Sequence, residues 1–250
     1  MKKEIVNRLK EIEAVNGIRI LHAVETGSRA WGFPSPDSDY DVRFTYVEDL
    51  DWHLSLREKK DTMNPPIIDD LDITGWEIKK VLGLLWKSNV SLLERLQSPI
   101  IYLDNSLFSC GIEGLAKSCF SPVAVMHHYN SMAKKYYHGF MEKDSVRLKS
   151  YCYALRTAVA GKWVREVNEI PPIVFSNMFD VIEKGTLDEI LEMISIKSGE
   201  SESYTHKRFP RIDDFLKVTI EENDKVATSL PSGNGDFDEL DAFYREIVRS

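Results

Sequence analysis

The sequence predicts an α/β (α+β) protein: a small mixed sheet of four or five strands packed with helices, followed by a helical C-terminal domain. Three observations carry that reading. Residues 39–46 alternate between polar and apolar side chains, the period of a half-buried strand. An apolar run from Ile18 to Glu25 and an acidic-apolar run from Ile67 to Thr74 offer that strand neighbours. From about residue 112 the pattern turns helical, over 112–119, 122–142, 144–168, 176–183, 187–198 and 236–249. The boundary is therefore set after residue 115, giving a first domain of residues 1–115 and a helical domain of residues 116–250. Helices joined by short links point to a bundle.

Taken in order, residues 2–15 form an amphipathic helix with Ile5, Leu9 and Ile12 on one face, stopped at Asn16-Gly17. The strand Ile18 to Glu25 then delivers the chain to Gly27-Ser28. A short helix follows over Arg29 to Gly32, and Pro34 and Pro36 stiffen the loop after it. In the strand at 39–46, Tyr40, Val42, Phe44 and Tyr46 face the core, and Asp39, Asp41, Arg43 and Thr45 face away. Residues 48–66 read as a loop with a helical turn, broken by Pro65-Pro66. The run 67–74 is a second core strand, with Asp70 and Asp72 on one face. Ile78, Val81, Leu82, Leu85 and Trp86 give residues 76–88 the helical period. Ser91 starts another helix, with Glu94 placed to close a capping box, and Ser98-Pro99 ends it. Residues 100–103 form a short strand, and residues 199–210 and 231–235 are loops.

Composition bounds the function. The chain has 250 residues, enough for one large domain or two modest ones. Its formal net charge of −8 argues against broad, sequence-independent nucleic-acid binding, which relies on basic surface. It leaves room for an RNA end held in a local groove, and for nucleotides whose charge is offset by metal ions. No apolar run approaches the ~20 residues a membrane span needs. The first ten residues are charged throughout and lack an apolar signal core, so a cytoplasmic location is expected. Cys110, Cys119 and Cys152 fit neither a zinc spacing nor a disulfide framework.

The chemistry concentrates between residues 24 and 46. Side chains two apart on a strand share a face, so Asp39 and Asp41 project together from one rigid edge. Paired carboxylates are the hard oxygen ligands that Mg²⁺ takes. Gly27 lets a backbone N–H approach a phosphate closely, and the Ser28 hydroxyl adds a donor. Two plainer readings stand beside this one. Asp37, Asp39, Asp41 and Glu48 occupy positions 1, 3, 5 and 12 of a calcium loop, but position 6 is Val42 where such a loop needs glycine. Alternatively, the aspartates of a polar turn cap backbone N–H groups and do nothing more.

The string Gly27-Ser-Arg-Ala-Trp-Gly-Phe-Pro-Ser-Pro-Asp-Ser-Asp39-Tyr-Asp41-Val-Arg-Phe44 resembles the RlaP-type predicted nucleotidyltransferases of the DNA polymerase β superfamily. The likeness continues through Asp72-x-x-Gly75-Trp76-Glu77 and the segment Lys87 to Tyr102, so it spans residues 24–102. Val90 and Arg95 stand where relatives usually have Pro and Trp. The resemblance implies catalytic, metal-binding roles for Asp39, Asp41 and Asp72, with two Mg²⁺ ions as cofactors and Mn²⁺ as their substitute. It implies that Gly27 and Ser28 hold the β- and γ-phosphates of a nucleoside triphosphate, expected to be ATP. It further implies that Lys149 and Arg156 help grip that triphosphate. With Tyr153 they lie on one helical face, which is otherwise a solvated basic surface. NMP would pass to an acceptor hydroxyl as pyrophosphate leaves; an RNA end, a protein side chain and a small molecule are the acceptors this allows. A non-catalytic nucleotide-binding or regulatory module, and an antitoxin-like nucleotidyltransferase acting on a protein partner, are the competing functions.

Overall fold

The computed structural model describes residues 1–67 and 70–250. It divides into two compact units. The first holds Met1–Gly27, Asp39–Cys119 and Asn234–Ser250, and the second holds Ser28–Ser38 and Phe120–Gly233.

In chain order the first unit contributes α1 (Lys2–Asn16), β1 (Arg19–Glu25) and the first residue of α2 (Gly27–Trp31), followed by β2 (Tyr40–Val47), α3 (Leu50–His53), β3 (Thr62–Met63) and β4 (Leu71–Glu77). It continues with α4 (Ile78–Trp86), α5 (Val90–Leu96), β5 (Ile101–Asp104) and α6 (Ser106–Cys119). The second unit holds α7 (Pro122–His138), β6 (Ser145–Arg147), α8 (Leu148–Glu166), α9 (Lys184–Gly199), β7 (Thr205–Lys207) and α10 (Pro210–Val226). The last helix, α11 (Phe237–Arg249), belongs to the first unit. Among the described residues no helix is long and apolar enough to cross a membrane.

The strands of the first unit form a mixed five-stranded sheet in the order β3-β4-β2-β1-β5. β2 and β4 run parallel, and the other neighbours are antiparallel. The fold class expected from the sequence is the one found. The apolar face of β2 is buried as its alternation requires: Val42, Phe44 and Tyr46 are inaccessible and join Ile20, Ala23 and Ile73 in one core with Ile5, Leu9 and Ile12 of α1. Helix α1 ends at Gly17, whose φ of 66° is the left-handed stop that glycine supplies most readily.

Several boundaries differ from the sequence reading, each for a local reason. The strand expected over 67–74 begins at Leu71 and runs on to Glu77. Ile68 and Asp69 of that expected strand lie outside the described residues. The extension through Gly75 and Trp76 is held by ladder partners, Phe44 and Thr45 on one side and Met63 and Thr62 on the other. The helix that follows starts at Ile78 because Glu77 caps it, accepting a hydrogen bond from the Lys79 N–H at 2.7 Å. Helix α5 starts one residue before Ser91, since Asn89 takes the capping role and accepts from the Leu92 N–H at 3.1 Å. In the second unit, residues 145–147 are a strand paired with 205–207. Phe175–Val181 is a 3₁₀ helix. Helix α10 has no counterpart among the segments the sequence predicts. Two of its five buried positions are the polar Thr219 and Asn223, which break the apolar stripe on which such a prediction rests.

Glu77 carries a further consequence. Its side chain is inaccessible; Oε1 has no hydrogen-bond partner among the described residues and lies 3.9 Å from Nε2 of His53. Burial pushes the Glu77 carboxyl up to about 7 and pushes the His53 imidazole down. A carboxyl that holds its proton more tightly when folded contributes stability below its unfolded value and loses it as pH rises through 7. The loss is roughly 3 kcal/mol between pH 4.5 and 8. Glu77→Gln keeps the capping oxygen and removes the titration, so its urea-unfolding free energy is expected to fall less between pH 5 and pH 8. His53 tilts stability the opposite way in both proteins, so the difference between their slopes isolates Glu77. Parallel slopes would discard this account.

Candidate active site

The parallel register of β2 and β4 sets Asp41 directly opposite Asp72. Both carboxylates are partly open, with side chains 35% and 33% exposed. Arg43 lies two residues beyond Asp41 on the same strand and therefore on the same face. Its Nη2 donates to Asp41 Oδ1 at 3.0 Å and to Asp72 Oδ2 at 2.7 Å. Its Nη1 donates to the backbone carbonyls of Asp72 at 2.9 Å and Val42 at 3.0 Å.

The second oxygen of Asp41 packs under Gly27. A Cβ placed on residue 27 would come within 2.3 Å of Asp41 Oδ2, and the backbone there has a φ of +65°. Glycine is demanded twice, by conformation and by close approach. The Asp41 backbone is pinned as well. Its N–H donates to Glu25 Oε1 at 2.7 Å, and its carbonyl accepts from the Thr26 N–H at 2.8 Å and hydroxyl at 3.0 Å. Glu25 is inaccessible and also accepts from the Tyr102 hydroxyl, while its carbonyl accepts from the Ser98 hydroxyl at 2.6 Å. The ends of β1 and β5 thus brace the start of β2.

Gly27, Asp41 and Asp72 are brought together. Asp39 is exposed and stands one residue ahead of β2. Among the described residues no group of three or more His, Cys, Asp or Glu side chains is placed to hold one ion. The Asp41–Asp72 pair nevertheless suits a hard divalent cation. Magnesium binds through one or two carboxylates and takes its remaining ligands from water and substrate phosphates.

Ser28, Lys149 and Arg156 belong to the second unit. The Ser28 side chain is buried and donates to Ser38 Oγ at 3.1 Å. Lys149 pairs with Glu202, which also accepts from the Ser38 hydroxyl at 2.9 Å and whose N–H donates to Asp37 at 2.9 Å. Arg156 is only 2% exposed. Its guanidinium lies 4.5 Å from the Trp31 ring centre, and Nε and Nη2 both donate to the Ile173 carbonyl at 3.3 Å. Trp31 in turn meets the edge of Tyr153 at 5.0 Å. The face bearing Lys149, Tyr153 and Arg156 is therefore engaged with residues 28–38 and their supports. Lys197, 1% exposed, completes that scaffold through the Phe33 carbonyl at 2.9 Å and Ser35 Oγ at 2.8 Å. Arg95 lays its guanidinium 3.3 Å from the ring centre of Trp76.

Three participants escaped the sequence reading. Arg43 carried a signal, since alternation puts it on the face of Asp41. Glu25 carried a weaker one, an acid closing an apolar strand just before Gly27. Lys197 carried none, because a lysine in an amphipathic helix reads as solvated.

A solved structure of spectinomycin adenyltransferase AAD(9) from Enterococcus faecialis, with ATP and spectinomycin, aligns with 88% of this chain and 99% of that one, at 12% identity and a TM-score of 0.48. A nucleotidyltransferase-like protein from Exiguobacterium sibiricum 255-15 aligns with 98% of this chain and 80% of that one, at 10% identity and a TM-score of 0.34. In sequence, the uncharacterized protein YcgL of Bacillus subtilis (strain 168) is 37% identical over 238 residues, 94% of this chain and 92% of that protein. The family model described as RlaP, the RNA repair pathway DNA polymerase beta family, matches residues 1–246, and the chain belongs to that family.

Proposed function

We propose that this protein transfers a nucleoside monophosphate from a nucleoside triphosphate, expected to be ATP, to an acceptor hydroxyl, releasing pyrophosphate in the cytoplasm. The observation that carries the proposal is the in-register pair Asp41 and Asp72, with Gly27 packed against Asp41 where no side chain fits. Family membership supports the reaction class, and the family's description makes an RNA end the first acceptor to test.

Residues 1–115 are assigned the catalytic role and residues 116–250 a supporting one. Asp39, Asp41 and Asp72 are the ligands for two Mg²⁺ ions, with Mn²⁺ able to replace them. Bound there, the ions would stabilise charge on the attacking and leaving oxygens. Gly27 and Ser28 receive the β- and γ-phosphates through backbone N–H groups and the serine hydroxyl. Asp72 accepts the proton of the acceptor hydroxyl. Lys149 and Arg156 help grip the triphosphate, and their contacts with Glu202 and Trp31 also hold residues 28–38 in shape.

The test is calorimetric titration with ATP, GTP, CTP and UTP, each with and without Mg²⁺, for the wild type and the Asp39→Ala, Asp41→Ala variant. Transfer of α-labelled nucleotide to RNA ends, proteins and small hydroxyl compounds follows. Metal-dependent binding confined to the wild type is expected. A folded wild type that binds no triphosphate and labels no acceptor would abandon the proposal in favour of a non-catalytic module.

A further inference from the structure

We infer that Arg43 is a built-in counterion of the acid pair: it keeps the Asp41 and Asp72 carboxylates together before a divalent cation arrives, and it competes with that cation for the place between them. The inference deepens the two-metal reading above and rests on it for its second half.

Adjacent strands lie about 4.8 Å apart, so two ionised carboxylates in register on one face repel each other. Arg43 relieves that repulsion, because Nη2 is 3.0 Å from one oxygen of Asp41 and 2.7 Å from one oxygen of Asp72. Asp41 and Asp72 are the residues that would hold a divalent cation, and Arg43 already engages one oxygen of each. The other arm of the fork is tied to the Asp72 and Val42 carbonyls, so the guanidinium is oriented by backbone as well as by charge. The Arg43 side chain is 17% exposed, half the exposure of either carboxylate. The guanidinium is thus more enclosed than the two carboxylates it joins. Arg43 is on this account a positioning residue. It makes no bond to substrate, and its removal should affect metal-free stability and metal affinity in opposite directions.

Two measurements separate the halves. The first is Mn²⁺ binding by chelator-treated protein, read from the paramagnetic resonance signal of free Mn²⁺. Arg43→Met is expected to bind Mn²⁺ about five- to tenfold more tightly than the wild type, the effect of removing one solvent-screened charge at hydrogen-bond distance. The second is a double-mutant cycle of Arg43→Met and Asp72→Asn, followed by thermal unfolding in chelator. Arg43→Met alone should unfold at a lower temperature, and adding Asp72→Asn should recover most of the loss, since one of the repelling charges has gone. Arg43→Gln replaces the methionine variant if the latter does not fold. Equal or weaker Mn²⁺ binding by a variant with a native circular-dichroism spectrum overturns the competition. Additive losses in the cycle overturn the counterion role and leave Arg43 as packing. If neither protein binds Mn²⁺, the competition falls together with the two-metal reading, and a non-additive cycle then supports the counterion role by itself.

Discussion

Gly27→Ala is expected to lower nucleotidyl transfer by at least about a hundredfold while the protein stays folded, a loss typical of displacing a reacting group by about 1 Å. Two costs arrive with one methyl group. A left-handed φ of +65° costs an L residue about 1–2 kcal/mol, which a chain of this size survives. The new Cβ would also sit 2.3 Å from Asp41 Oδ2, closer than any non-bonded pair tolerates. The backbone of Asp41 cannot retreat, because Glu25 and Thr26 hold its N–H and carbonyl. The carboxylate must turn instead, and it takes its orientation toward Asp72 with it. Pyrophosphate release at saturating triphosphate and Mg²⁺ is the assay, with Asp41→Asn as the comparison that removes charge without adding bulk. Activity within about threefold of wild type would show that Asp41 has no part in the reaction.

Gly75→Ala is expected to cost at least about 3 kcal/mol of stability, at the upper end for overpacking a core. Gly75 is the ladder partner of Phe44, and Phe44 is 1% exposed. The aromatic ring lies across the glycine, so an added Cβ would stand 2.2 Å from Cζ and 2.4 Å from Cε2. Nearby side chains of the same core, among them Val42 and Tyr46, leave the ring little space to move into. Phe44→Leu shortens the offending group, so the double variant Gly75→Ala, Phe44→Leu should recover part of the loss that the sum of the single variants predicts. Urea unfolding of the four proteins measures this. Strict additivity would mean that the glycine is kept for some reason other than the ring above it.

Both glycines belong to the stretches whose resemblance first pointed to a family, and their physical reasons differ. Gly27 is needed for a carboxylate to pack against bare backbone. Gly75 is needed for an aromatic side chain to cross a strand. Either could have been read as a loop glycine, because a sequence shows that a residue is small and not what presses on it.

The helices α1, α4 and α11, the strands β1 and β2 and the acid face of β2 were legible because their signals are local. A period of two or of 3.6 needs only neighbouring residues to express it. Asp39 and Asp41 could be placed at the head of a strand for the same reason. Residues 145–147 and 205–207 could not be paired in advance, nor α10 recognised, since a three-residue strand and a helix with polar buried positions carry almost no periodic signal. The sequence by itself therefore determined the fold class, the family and the strand that bears the acids. Only the tertiary structure decided that Asp72 faces Asp41 rather than some other residue, that Arg43 stands between them, and that Arg156 is buried against Trp31 and the Ile173 carbonyl. The reason lies in strand pairing and burial. A one-residue slip of β4 against β2 would keep every local propensity and send Asp72 to the opposite face, so the register is set by what the whole core can bury.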